Sequence, residues 1–296
     1  MISILIPTYN YNVSPLIKAL QGKIILSPID YEIKVYDDGS PNPIPENETL
    51  KDFVNTTFIK LDKNIGRTAI RNLMATEAKY DWLLFLDADV LPKNLDFIEN
   101  YVEAIKNNDC DVIFGGISYG EEPPVKEKIL RWKYGQAREA KSVDQREKEP
   151  YFIISQNLCI KKQVFLEANT ILENYYGLDN FFSNQLKKMK AKVLHIDNPV
   201  IHFGLEENNK FIKKALNAVE TTVVLEKKGL MDSNMRPIQK SYLKLKALRL
   251  RGIFSIVISM FNTKMERNFT SQNPNLFWFD LYRLNYYIQL KKKHNA

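Results

Sequence analysis

Residues 82–89 read Trp82-Leu83-Leu84-Phe85-Leu86-Asp87-Ala88-Asp89, an unbroken apolar run that ends in two carboxylates separated by one alanine. A short apolar run with a polar boundary predicts a strand buried on both faces, here Trp82–Leu86. Helix-length stretches flank it: Thr68–Lys79 before and Leu95–Asn107 after, each with apolar residues three and four apart. Further out, Ile2–Ile6, Glu32–Tyr36, Thr57–Leu61 and Asp111–Phe114 read as strands, and Pro15–Leu26 reads as a helix. This alternation predicts an α/β fold, a mostly parallel sheet flanked by helices. Such sheets bind ligands in the crevice beyond the carboxyl ends of their strands. The residues that follow each strand are therefore the ones to inspect.

The rest of the chain is read the same way. Residues 120–150 are charged, contain Pro123-Pro124, and predict a helix over Val125–Ala140. A strand at Tyr151–Ile154, a helix at Leu178–Met189 and a strand at Lys192–Ile196 follow. From Leu205 the pattern turns to long helical stretches, Asn209–Lys227, Gln239–Phe261 and Phe277–Lys293, with breaks at Gly229 and Asn273-Pro274. The expected domains are thus 1–204 and a helical extension, 205–296. Charge divides at the same place: the first part carries net −3 and the second net +10.

Composition narrows the function. The chain of 296 residues is 45% hydrophobic and 26% charged, the make-up of a folded globular protein. Cys110 and Cys159 form no CxxC, which argues against a disulfide scaffold or zinc ribbon and for a reducing, cytoplasmic compartment. The first residues show no signal-peptide pattern. The longest apolar run, Ile253 to Phe261, is about half of the ~20 residues a spanning helix needs. The basic extension has two readings. Leu243, Leu248, Ile253, Ile256 and Val257, mixed with Lys244, Lys246, Arg249 and Arg251, could lie on an anionic membrane at its inner face, a peripheral contact through 239–293. The favoured reading is plain helix packing, because the apolar residues look too dispersed to form one face. No nucleic-acid motif accompanies the charge, so no nucleic-acid partner is expected.

Four strand ends carry chemistry. They are Pro7-Thr8-Tyr9-Asn10, Asp37-Asp38-Gly39-Ser40, Asn64-Ile65-Gly66-Arg67 with Arg71-Asn72, and Asp87-Ala88-Asp89. Each alone is also ordinary turn or capping chemistry. Together, at one sheet edge, they describe a site for a nucleoside diphosphate. The Tyr9 ring can stack on a base and Asp38 can accept its imide N–H. Asp87 and Asp89 can grip a hard divalent cation that shares phosphate oxygens. Arg67 or Arg71 can pair with phosphate. There is no GxxxxGK[ST] loop and no GxGxxG after the first strand.

On these motifs residues 1–205 resemble the family-2 glycosyltransferases of the GT-A fold. The resemblance implies transfer of a sugar from a nucleotide-sugar donor to a saccharide or lipid-linked saccharide acceptor, with inversion and usually with Mg²⁺ or Mn²⁺. It implies that Pro7, Tyr9, Asp38 and Gly66 belong to the donor site, that Asp87 meets ribose or metal, and that Asp89 meets metal. His202 matches a histidine near the metal in many relatives, and Asn157 matches a polar position beneath the donor sugar; a structural histidine and an ordinary loop amide are the alternatives. His195 reads as a packed histidine. Asp179 falls on the general base that opens a late helix, with Leu178 in place of the usual Glu, and a helix cap is its alternative. The donor leans towards a UDP-sugar, and the role towards surface polysaccharide or glycoconjugate synthesis. A sugar-1-phosphate nucleotidyltransferase and a non-catalytic sugar-nucleotide binder are the rival functions; the first lacks its Gly-rich loop here.

Overall fold

The structure, a computed structural model, describes residues 1–24, 29–42, 44–171, 173 and 175–295. The chain divides into two compact units. The first comprises 1–120, 139–174 and 185–204, and the second 121–138, 175–184 and 205–296. The second unit thus takes two segments before residue 204 as well as the stretch from Leu205.

The strands of the first unit are β1 (Ile2–Thr8), β2 (Tyr31–Asp37), β3 (Thr56–Lys60), β4 (Trp82–Leu86), β5 (Val90–Pro92), β6 (Val112–Phe114), β7 (Ile117–Ser118), β8 (Asn157–Lys161), β9 (Val193–His195) and β10 (Val200–His202). Seven form one sheet in the order β3-β2-β1-β4-β8-β6-β9, in which β8 runs antiparallel to both neighbours. The others are parallel, so β1, β2, β3 and β4 all end at the same edge. Ile4, Leu5, Ile6, Leu83, Leu84 and Phe85 are wholly buried, as continuous apolar strands in a covered sheet must be. Each such side chain contributes about 1.5–3 kcal/mol. The helices Ser14–Ile24, Arg67–Glu77 and Phe97–Asn107 stand where the periodicity predicts them; Ile25 and Leu26 lie outside the described residues. A small second sheet, β5-β10-β7, pairs β10 antiparallel to β5 with His202 opposite Val90.

Two expectations fail here. Residues Tyr151–Ile154 are not a strand; the ladder passes instead through Asn157–Lys161. The single helix over Val125–Ala140 is a 3₁₀ turn, an α-helix Ile129–Tyr134 and a π-helical turn Gly135–Glu139.

The second unit carries the helices Asn208–Lys227, Pro237–Ala247, Arg251–Met260, Asn262–Phe269 and Leu276–Asn295. One of its cores gathers Phe211, Phe269 and Phe279; another gathers Val219, Val223, Tyr242 and Tyr287. Glu226, buried beside them, accepts from Tyr287 and Lys291. The predicted single helix Gln239–Phe261 is broken at Leu248–Leu250, where Arg249 turns left-handed at φ 59°. The stretch packs through Tyr242, Phe254 and Ile258, but only on one side. Ile253, Ile256, Val257, Met260 and Phe261 are all exposed. No helix among the described residues is long and apolar enough to cross a membrane.

Candidate active site

The site grows from the ends of the parallel strands. After β2, Asp37 Oδ1 accepts from the Ser40 backbone N–H at 2.9 Å and from its hydroxyl at 2.6 Å, which closes the turn. That turn aims Asp38 at the loop after β3. Its Oδ1 accepts from Ile65 N–H at 2.7 Å and its Oδ2 from Gly66 N–H at 3.0 Å. Gly39, at φ 71°, lies so close to the Lys63–Asn64 backbone that a Cβ would come within 2.5 Å of the Lys63 carbonyl carbon. The turn therefore requires glycine twice over, for its φ and for the close approach. Burial pushes the Asp38 carboxyl up from its ordinary value, against the two backbone N–H groups that pull it down. The Asp38 backbone N–H in turn bonds Thr8 O at 2.9 Å, one residue before the exposed Tyr9 ring. Pro7, one residue before the end of β1, lies opposite Tyr36 and is partly exposed.

Asp87 faces two guanidiniums. Arg67 Nη2 lies 3.0 Å from Oδ2 and Arg71 bonds Oδ1. Arg71 is buried, so its charge needs that carboxylate. Both Asp87 carboxylate oxygens bond arginines, so Asp87 orients the two guanidiniums. Arg67 also donates to Ser155 at 3.1 Å, a contact that nothing in the sequence flags.

Asp89 is different. His202 Nε2 stands 3.3 Å from its Oδ2, because β10 pairs with β5 and so brings His202 beside the residue before Val90. Burial alone would raise the Asp89 carboxyl, but the hydrogen bond and charge of His202, with Arg67 beyond, outweigh it and hold the carboxyl below its ordinary value. The pair closes on Gly204: a Cβ there would overlap the Asp89 carboxylate and come within 3.0 Å of His202 Nε2. Tyr119 stacks edge-on against the His202 ring at 5.5 Å between centroids. Tyr11 lies near enough that burial and the Asp89 charge raise its phenol. Gly204, Tyr119 and Tyr11 were not legible as site residues. Only the strand pairing puts the first two there, and the Tyr9-Asn10-Tyr11 repeat is the one sequence hint of the third.

The donor set suits a divalent cation. A carboxylate kept ionised and the imidazole Nε2 beside it are hard and borderline ligands. No three His, Cys, Asp or Glu side chains cluster among the described residues. Asp89 and His202 would therefore hold a cation only together with oxygens from elsewhere, such as a diphosphate.

Asn157 opens β8. It is fully buried; its amide donates to Gly116 O and Asn198 O at 2.9 Å each and accepts from Tyr101 at 2.7 Å. These bonds tie the start of β8 to the backbone at Gly116 and Asn198 and to the Phe97–Asn107 helix. His195 is packed, donating from Nε2 to Pro150 O at 2.9 Å, with Arg146 beside its Nδ1. Asp179, in the second unit, opens the helix Asp179–Lys188 and is partly exposed, while Leu178 is buried.

The family profile for glycosyl transferase family 2 matches residues 3–170, more than half of the chain. The chain belongs to glycosyl transferase family 2. The match takes in every donor-side residue named above but not Asp179 or His202. Chondroitin synthase of Escherichia coli is 32% identical over 132 residues, 40% of this chain and 17% of that protein. The chain spans 17% to 44% of the length of the curated relatives it matches. A mannosyltransferase from Pyrobaculum calidifontis, solved with GDP-Man and Mn²⁺, superposes with TM-score 0.55 at 16% identity, over 99% of this chain and 86% of that one. S. aureus TarS 1–349 in complex with UDP-GlcNAc superposes with TM-score 0.51 at 14% identity, over 99% of this chain and 91% of that one. These likenesses establish the GT-A fold for this family member.

Proposed function

We propose that this chain moves a sugar from a nucleotide-sugar donor to an acceptor hydroxyl with inversion. The observation that carries the reading is the Asp89–His202 pair, closed on a glycine at the sheet edge where the Asp38 and Arg67 loops end. The base would stack on Tyr9 and give its imide N–H to Asp38; uridine, with one such N–H, is the donor base we assign. Arg67 and Arg71, held by Asp87, would meet the diphosphate as it takes on negative charge. A Mn²⁺ or Mg²⁺ ion held by Asp89 and His202 would neutralise part of that charge. Asp179 would take the acceptor proton as general base. Its support is its place at the start of the helix Asp179–Lys188, where the resemblance puts the base, with Leu178 in place of the usual Glu. The acceptor fits a saccharide or lipid-linked saccharide, in surface polysaccharide or glycoconjugate synthesis on the cytoplasmic side of a membrane.

A thermal-shift panel of nucleotide-sugars with and without Mn²⁺ tests the reading. A bound donor stabilises the fold in proportion to its affinity, by about 2.7 kcal/mol at a hundred times Kd. UDP-sugars should raise Tm with Mn²⁺ and much less without it. A panel in which no activated sugar shifts Tm under either condition overturns the proposal. Asp179→Asn should abolish transfer and keep the donor-induced shift; transfer at the wild-type rate removes Asp179 from the mechanism.

A further inference from the structure

The Arg251–Met260 helix uses one side for packing and leaves the other bare. Phe254 and Ile258 turn inward, Ile258 into the core with Phe211 and Phe279. Ile253, Ile256, Val257 and Met260 follow the i, i+3, i+4, i+7 spacing and fall within an arc of about 100° at 3.6 residues per turn. They are 63%, 67%, 45% and 79% exposed. Phe261 continues the stripe at 48%, and Leu248 and Leu250 precede it, exposed as well. Soluble surfaces scatter single apolar side chains, but a contiguous stripe of this length marks a docking face.

Charge says what docks there. Between Asp232 and Glu266 the sequence holds seven lysines and arginines and no acidic residue. Lys246 and Arg249 are exposed directly before the helix, and Lys264 directly after it. A second copy of this chain would bring like charges together along the same face. A nucleic acid would satisfy the cations and leave the aliphatic stripe in water. A surface with both an apolar interior and a negatively charged skin satisfies both halves. A helix of ten residues is about 15 Å long, half of a hydrocarbon core of roughly 30 Å, so it would lie in the interface plane.

We propose that the Arg251–Met260 helix is an in-plane anchor for an anionic lipid bilayer, its Ile253–Ile256–Val257–Met260 stripe among the acyl chains and Lys246, Arg249 and Lys264 at the phosphates. The proposal stands independently of the donor site.

Flotation of the full chain with lipid vesicles tests it. The wild type should float with vesicles rich in phosphatidylglycerol at about 0.1 M salt, where charges are felt over roughly 10 Å, and stay down with phosphatidylcholine alone. The pair Ile256→Asp and Met260→Asp should weaken that partition at least tenfold, and so should Lys246→Glu with Arg249→Glu, since each cation near an anionic surface is worth about fivefold. These side chains are exposed, so thermal melting should not change, which separates lost docking from lost folding. Three results overturn the proposal. One is a wild type that does not float. Another is an aspartate pair that floats like the wild type. The last is a dimer in sedimentation that the aspartate pair dissolves, without vesicle binding by either protein.

Discussion

Asp89 and His202 are 113 residues apart in sequence, and their side chains meet at 3.3 Å between Oδ2 and Nε2. Two backbone facts bring them together. β5 begins directly after Asp89 and pairs with β10, and Phe203 N–H bonds Asp89 O at 2.9 Å, which pins the two chain segments edge to edge. The glycine at 204 then leaves no Cβ where one would overlap the Asp89 carboxylate.

From that arrangement Gly204→Ala should act as a site mutation although it removes no functional group. Its methyl must displace the Asp89 carboxylate or shift the 203–204 backbone. The expected result is loss of most Mn²⁺-dependent donor binding, comparable to Asp89→Ala, with secondary structure intact by circular dichroism. Isothermal titration of donor with and without Mn²⁺ reads this directly. Unchanged metal-dependent uptake in the alanine variant would show that the pair does not serve the cation.

The Asp38 clasp makes a separate prediction about stability. Asp38→Ala removes the acceptor of two N–H groups, those of Ile65 and Gly66, of which the second is buried. An unsatisfied buried group costs about 1–3 kcal/mol, so a loss of roughly 2–4 kcal/mol is expected in urea unfolding. Asp38→Asn keeps one carbonyl acceptor and should lose about half as much. A fall of less than about 1 kcal/mol for the alanine variant would mean that water replaces the carboxylate and that the loop is not held by it.

How much of this was readable beforehand depends on what each feature rests on. The four motif-bearing loops were legible because short buried runs such as Trp82–Leu86 announce strands, and parallel strands end at one edge. The strand at Asn157–Lys161 was not. Tyr151–Ile154 has the stronger strand-forming composition, yet Leu158, Cys159 and Ile160 win because they gain a ladder on both sides, from β4 and from β6. The break at Arg249 gave no warning either, since no glycine or proline stands there. The turn closes on the Leu250 N–H, which bonds Leu245 O at 3.0 Å, and an arginine accepts the left-handed φ at a cost of about 1–2 kcal/mol. Asp87 reads by its type as a ribose or metal contact; that two arginines also bond it depends on where the Arg67–Glu77 helix starts, which spacing alone does not fix.

The two arginines at Asp87 should differ when removed. Arg71 is buried and Arg67 is largely exposed, although both bond the same carboxylate. Arg71→Ala leaves Asp87 without its buried partner and opens a cavity at the sheet edge. It should cost stability, on the order of 3 kcal/mol for a broken buried pair, along with donor affinity. Arg67→Ala should leave Tm within a degree or two and weaken donor binding alone. Paired thermal melts and donor titrations separate the two, and equal destabilisation by both would contradict the burial difference.

The last expectation concerns pH. His195 lies under the Arg146 guanidinium, which donates to Phe114 O at 2.7 Å and Ile196 O at 2.9 Å and sits 3.4 Å from the His195 Nδ1. Burial is the main reason its pKa falls below the ordinary 6.5, and the Arg146 charge adds to it; the Pro150 carbonyl and the Glu147 carboxylate pull the other way. The folded protein therefore binds this proton less readily than the unfolded chain. Above pH 6.5 the ring is neutral in both states and the group has no pH dependence. As pH falls below 6.5 the unfolded chain takes the proton first, so stability drops, by at most about 1.4 kcal/mol per unit, until the folded ring titrates too. Carboxylates contribute to the same pH range, so the informative quantity is a difference. His195→Gln can still donate to Pro150 O and carries no titratable ring; between pH 6.5 and 5 its unfolding free energy should fall less steeply than that of the wild type. Parallel slopes for the two proteins would mean that the buried histidine takes up its proton in the fold as easily as in the open chain, and that Arg146 does not oppose it.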